Sequence, residues 1–259
     1  MAESGIRMER DGAVVRLTLN RPETGNTLDL SLAQELAAAY RAISDDAAVL
    51  AVVLTGQGDF SVGEDPSLWS LEGDAEYRTL VRRWQADAVE GAAQLQVPVV
   101  AAIAGRCADM GLELALACDM RLAADTATFT MPQVGRGDLP HWGGTQRLPR
   151  LVGRGAALDL ILLGETIDAH EAYRLGLVRS VVPAADLLRT AMDLARTIAS
   201  KAPIATRHIR EAVRSGMDYP LLDGLRLEAD LYFLLQTTED RAEGIRAFLE
   251  RRPPHFQGR

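Results

Sequence analysis

The chain has 259 residues, 47% hydrophobic and 25% charged, with a formal net charge of −8. It is long enough to bury a full core as one domain with an appendage. The acidic balance excludes nucleic acid as the main partner, and no segment reaches membrane-spanning length without a charge. The opening MAESGIRMERDG has no apolar run of signal-peptide length, so a cytoplasmic protein is expected. Cys107 and Cys118 lie among apolar or small neighbours and read as buried thiols, not as a disulfide framework.

In chain order, Val14 to Leu19 reads as a strand between Asp11-Gly12 and Asn20-Arg21-Pro22. Asp29 or Ser31 caps a helix that runs to about Ser44. Ala48 to Thr55 is a wholly apolar strand of the kind buried on both faces, so the first three elements suggest a right-handed crossover. The segment from Pro66 to Asp87, with Trp69, Leu71, Tyr77, Leu80, Val81 and Trp84, has no firm period and predicts one or two mobile helices beside a pocket. Arg78, Arg82 and Arg83 read as a solvated face. A strand at Val99 to Ala104, a helix from about Met110, and strands at 119–127 and 128–131 follow. Pro132 to Trp142 is loop, helices cover 143–152 and 155–163, a capped short helix starts at Asp168, and a last strand spans 178–182. From Ala184 onward the pattern is helical to the end.

The helix after Gly105 carries one carboxylate, Glu113, among Met110, Leu112, Leu114, Leu116 and Ala117. A lone charge buried there costs several kcal/mol, on the order given by transfer data, so it implies a use. The alternative is a Glu near the helix start that faces solvent or a subunit contact.

PVVAAIAGRCADMGLELALACD at 98–119 resembles the crotonase family, the enoyl-CoA hydratases and isomerases. So do Asn20-Arg21-Pro22, Phe60-Ser61-Val62-Gly63-Glu64-Asp65, Gly143-Gly144-Thr145-Gln146-Arg147-Leu148 and Gly244-Ile245-Arg246-Ala247-Phe248, in order along nearly the whole chain. The resemblance implies an α/β fold, a crotonase-type spiral of repeated β-β-α units over 1–198, with a helical C-terminal region at 199–259 that builds a homotrimer or a hexamer. It implies an acyl-CoA thioester substrate that itself carries the coenzyme A, and no permanently bound cofactor, metal, nucleic acid or membrane partner.

It also implies roles for particular residues. The backbone N–H groups of Glu64 and Met110 would hold the thioester oxygen as an oxyanion hole, Met110 at a helix start where free N–H groups favour negative charge. Asp109-Met110 stand where the family has glycines, and Asp109 alone would read as a helix cap. Glu113 matches one of two hydratase glutamates. The other is Gln133 here, and an amide can hold water but cannot move its proton. His141 occupies a position where some relatives have a catalytic aspartate, and Asp138 could orient it or act directly; without the resemblance, His141 reads as a loop histidine beside Trp142. Arg21, Asn26, the Val62 backbone and Asp65 match the CoA-binding wall. Arg246 and Phe248 could complete a neighbour's pocket, or be a solvated residue and a core anchor. The tryptophans at 69, 84 and 142 suggest an unusual acyl shape. The reading is an enoyl-CoA hydratase or isomerase. The alternatives are an isomerase, hydrolase or decarboxylase on a CoA thioester, or a catalytically weak CoA-ester binding protein.

Overall fold

The apolar runs set the frame of the computed structural model, which describes residues 4–66 and 75–259. Trp69 and Leu71 lie outside the described residues, as do the side chains of Tyr77, Arg78, Leu80, Val81, Arg82 and Trp84. The strand expected at 14–19 forms as β2 (Val14–Leu19), and shorter versions of the next two form as β3 (Ala51–Gly56) and β4 (Val99–Ile103). They pair in parallel, with Val14 opposite Ala51 and Val52 opposite Val99. All of β4 is buried, as parallel strands covered on both faces require.

Three strands escaped the sequence pattern, two of them short pieces of a small sheet. β1 (Ile6–Asp11) buries only Ile6 of IRMERD, and it pairs antiparallel with β2 through a turn at Gly12, where φ is +59°. Gly12 supplies the left-handed backbone that such a turn needs. With β6 (Met120–Ala124) and β9 (Ser180–Val182), the large sheet has the order β1-β2-β3-β4-β6-β9. A small sheet joins β5 (Arg106–Ala108), β7 (Thr128–Thr130) and β8 (Ile167–Asp168) in the order β5-β7-β8.

The two sheets make the chain a spiral. One turn supplies β4 to the large sheet, β5 to the small one, and then helix α3 (Met110–Ala117). The next supplies β6, β7 and, after a 3-10 turn at Pro132–Arg136 inside the expected loop, helix α4 (Gly144–Val152). One turn earlier, an isolated parallel bridge joins Ser61 to Cys107, and α2 (Ala75–Gln94) follows. This stacking lays the loop after β3 along the junction between β5 and α3. A Cβ on Gly111 would lie 2.5 Å from the Ser61 carbonyl oxygen, so only glycine allows that approach.

Helix α1 (Leu30–Ser44) is capped by Asp29, which accepts from Leu32 N–H at 2.7 Å. It packs on α2, and α2 on α3. After α5 (Arg154–Leu163) and α6 (Ala169–Arg174), α7 (Leu187–Ala199) lies across β2, β3, β4 and β6. Helices α8 (Pro203–Gly216) and α9 (Leu221–Leu235) pack chiefly on each other, and α10 (Glu239–Glu250) follows. The core-anchor reading of Phe248 is corrected here: it is 82% exposed, because α10 turns that face away from its own chain. Both cysteines are buried and free. No helix among the described residues is long and apolar enough to cross a membrane.

Candidate active site

Glu113 is buried, with 1% of its surface exposed, so the solvent-facing reading falls. Its Oε1 accepts two backbone hydrogen bonds, from Trp142 N–H and Gly144 N–H, both at 2.7 Å. Those donors come from the turn that opens α4. Gly144 is itself tightly placed: a Cβ there would lie 3.0 Å from Glu113 Oε1 and 2.7 Å from Pro140. Oε2 makes no hydrogen bond within the described protein. Burial is the largest influence on the carboxyl, and it pushes its pKa up to about 7 against the opposing pull of the two N–H groups. The nearby Asp109 charge adds to the rise. A carboxyl so placed can take and return a proton near neutral pH.

Asp109 stands one helical turn before Glu113 and precedes α3. It occupies the cap position, but its side chain makes no cap bond, so the helix-cap reading does not hold. Its backbone has φ +53° and ψ −130°, a strained conformation for a residue with a Cβ. Asp109 is only 5% exposed. One carboxylate oxygen accepts from Gln133 Nε2 at 2.8 Å, the other from Arg136 Nη2 at 2.7 Å. Desolvation raises its pKa, and the Arg136 guanidinium opposes that rise. Gln133 is 1% exposed, and its Oε1 makes no hydrogen bond among the described residues.

The loop at 61–64 presses on this junction. A Cβ on Gly63 would lie 2.3 Å from the Asp109 Cβ, and Gly63 itself has φ +105°. Leu28 forms a parallel bridge with Glu64, and Leu28 N–H donates to Gly63 O at 2.7 Å. The Gly63–Glu64 peptide and the first turn of α3 are therefore side by side, with Glu113, Asp109 and Gln133 around them.

Other expected residues stand elsewhere or are committed to the fold. His141 is exposed; its Nδ1 faces Leu139 O at 3.2 Å, and its ring lies 4.6 Å from the Trp142 ring. The loop meets Glu113 through the Trp142 and Gly144 backbone, not through the imidazole. Asp138 is exposed and accepts from Leu139 N–H in its own loop. Asn26 is wholly buried: its Oδ1 accepts from Arg21 N–H at 2.8 Å, and its Nδ2 donates to Gln57 O and Asp59 O. Its side chain stitches two loops. The Arg21 guanidinium is bound to Asp29, Ser31 and Glu35. Val62 N–H donates to Gly25 O at 3.0 Å, and Asp65 N–H to Leu28 O at 3.4 Å. Arg246 is exposed, 3.6 Å from Glu243. Among the described residues no group of three or more His, Cys, Asp or Glu side chains could hold a metal ion.

The sequence reading did not find the carboxylate role of Asp109 or the place of Arg136. Asp109 lies four residues before Glu113, but its backbone at φ +53° is outside the helix, so spacing alone does not bring out its role. Arg136 comes from a loop 27 residues away, and only the fold brings it near.

Residues 9–259 match the family model described as enoyl-CoA hydratase/isomerase. A crotonyl-CoA hydratase of Syntrophomonas wolfei is 38% identical over 99% of both chains. A short-chain-enoyl-CoA hydratase of Clostridium acetobutylicum is 36% identical over 97% of both. The 1.8 Å crystal structure of an enoyl-CoA hydratase from Bacillus anthracis superposes with a TM-score of 0.94 at 38% identity, covering 98% of this chain and 100% of that one.

Proposed function

The chain belongs to the enoyl-CoA hydratase/isomerase family, and from that premise we propose that it adds water to a 2-enoyl-CoA with Glu113 as the one proton-transferring side chain. The observation that carries this reading is the buried Glu113 carboxyl, bound on one oxygen by two backbone N–H groups and, among the described residues, unbonded on the other. Water attacks the β-carbon, and Glu113 Oε2 takes its proton. The electron pair of the double bond moves to the thioester oxygen, where the N–H groups of Glu64 and Met110 stabilise the enolate. The enolate then collapses as Glu113 returns the proton to the α-carbon, leaving a 3-hydroxyacyl-CoA. Gln133 holds but cannot move a proton, so one carboxyl serves both steps, for which a pKa of about 7 is suited.

The exposed position of His141 gives it no share in the proton path in this reading, and the ties of Asn26 and Arg21 make them supports of the CoA wall. The region 199–259 is the proposed assembly region, forming a trimer or a pair of trimers. Bare apolar side chains on α9, among them Leu222, Leu225 and Phe233, support that. Arg246 and Phe248, exposed on α10, are placed to meet a neighbour.

One observation favours a second reaction. A 1,3 proton shift needs only one base, and Gln133 leaves only one hydratase carboxylate in place, so double-bond isomerisation on the same thioester is the competing reading. The test is to mix the purified protein with a short 2-enoyl-CoA and follow loss of the conjugated thioester absorbance. Rapid loss that disappears in Glu113→Gln supports hydration. No loss with retained CoA binding rejects it, and formation of the conjugated band from a 3-enoyl-CoA then establishes isomerisation.

A further inference from the structure

The junction before α3 holds a carboxylate in strained backbone, almost fully buried and bonded to the amide that replaces the second glutamate. The Asp109 carbonyl accepts from Leu112 N–H and Glu113 N–H at the start of the helix, but its carboxylate makes no side-chain cap bond. The carboxylate instead accepts from the Gln133 amide. An ionised carboxylate only accepts hydrogen bonds, so the group turned toward it must be the amide NH2. Arg136 on the other carboxylate oxygen favours the ionised form and offsets its charge. The Gln133 Oε1 is then left as a buried acceptor without a bond among the described residues, and so is Glu113 Oε2. Asp109 immediately precedes the helix that carries Glu113, its charge acts on the Glu113 carboxyl, and Gln133 is bonded to Asp109. The two O–H donors of a single water molecule equal these two acceptors in number.

We propose that Asp109 is a positioning residue: with Arg136 behind it, it locks the Gln133 amide so that its oxygen, and not its NH2 group, faces Glu113, making a two-acceptor seat that aims a water's lone pair at the substrate. Were the amide reversed, its NH2 would donate to the water and turn a proton toward the β-carbon. The inference rests on the reading of the site as one that handles water.

The test compares wild type with Asp109→Asn and Gln133→Met. In Asp109→Asn the replacement amide can pair with either end of Gln133, so the lock is lost. Turnover of a 2-enoyl-CoA should fall about 10- to 100-fold in kcat with KM within about threefold, because water orientation matters to the chemical step. Loss of the Asp109 charge should also move the ascending limb of the kcat/KM profile to lower pH, since that charge raises the Glu113 pKa. Gln133→Met should lose a similar factor in kcat without moving the limb as far. The double variant should lose no more than the worse single one, because both act on the same water. An unchanged kcat in folded Asp109→Asn, or fully additive losses, overturns the proposal.

A crystal structure of the wild type that resolves buried waters decides the matter without reference to turnover. A water within hydrogen-bond distance of both Glu113 Oε2 and Gln133 Oε1, displaced in Asp109→Asn, supports the lock. A Gln133 amide turned with Oε1 toward Arg136 overturns it. A wild type that leaves every 2-enoyl-CoA unchanged while holding this water defeats the hydratase reading alone.

Discussion

Helices α3 and α9 are both rich in leucine, and the molecule treats them in opposite ways. All eight residues of α3, MGLELALA, are buried, Glu113 included. Of the fifteen in α9, LLDGLRLEADLYFLL, only Leu231 is buried by its own chain. The spiral surrounds α3 with α2, α4 and the small sheet, so a carboxylate there loses its water and changes its pKa. α9 stands on α8 with an apolar surface bare. Apolar sequence shows that a face will be covered, but not whether the cover comes from the same chain.

The largest effect expected from breaking this contrast is at Glu113. Glu113→Gln keeps the acceptor for the Trp142 and Gly144 N–H groups and removes the proton carrier. Turnover should fall by at least about a thousandfold, measured by steady-state kinetics. A residual rate within a few fold of wild type would end the proposed mechanism. The same variant should be more stable than wild type at pH 8. The folded carboxyl has a pKa of about 7 against 4.5 as its ordinary value, so the folded state keeps a proton that the unfolded chain releases. That contribution to stability is complete below pH 4.5 and is lost as pH rises through about 7. Glu113→Gln should therefore gain up to about 3 kcal/mol over wild type at pH 8, and little below pH 4. Denaturant titrations at both pH values would show it.

The corresponding change on α9 tests the other side of the contrast. Phe233→Glu places a charge on a bare apolar face. If a second copy covers that face, the mass measured by light scattering should drop to that of one chain, with a weakening of assembly on the order of a hundredfold or more. If the mass is unchanged, α9 is not the assembly surface.

Much of this contrast is legible in the sequence, for a physical reason. β2, α1 and the C-terminal helices have strong local signals: an apolar run, an Asp29 cap, helical spacing. β1 has none, because five of its six residues face solvent and it is held chiefly by pairing with β2. At the site, Glu113 was visible as a charge out of place. The Gln133–Asp109–Arg136 set was not, because it depends on loop backbone and on contacts 24 and 27 residues apart. The buried Asn26 was read for its place in a motif. Its chemistry is structural: three side-chain bonds inside the protein. Asn26→Ala strands two carbonyls and an N–H, and should cost about 2–4 kcal/mol in chemical denaturation.

The smallest effect comes from a place where the C-terminal region is closed by its own chain. Thr238 caps α10, its hydroxyl accepting from Arg241 N–H at 3.2 Å. Nearby Asp240 is 3% exposed and accepts from Gln257 N–H and Gly258 N–H at 2.7 and 2.8 Å, so the last residues of the chain fold back over the start of the helix. Thr238→Ala removes one cap acceptor and leaves this second set of bonds in place. The loss should be about 1 kcal/mol, read as a small drop in the unfolding midpoint, with turnover and assembled mass unchanged. A larger loss, or one that changes the assembled mass, would mean that the capped end of α10 is part of the assembly surface. The bare region would then extend beyond α9 to the helix that carries Arg246 and Phe248.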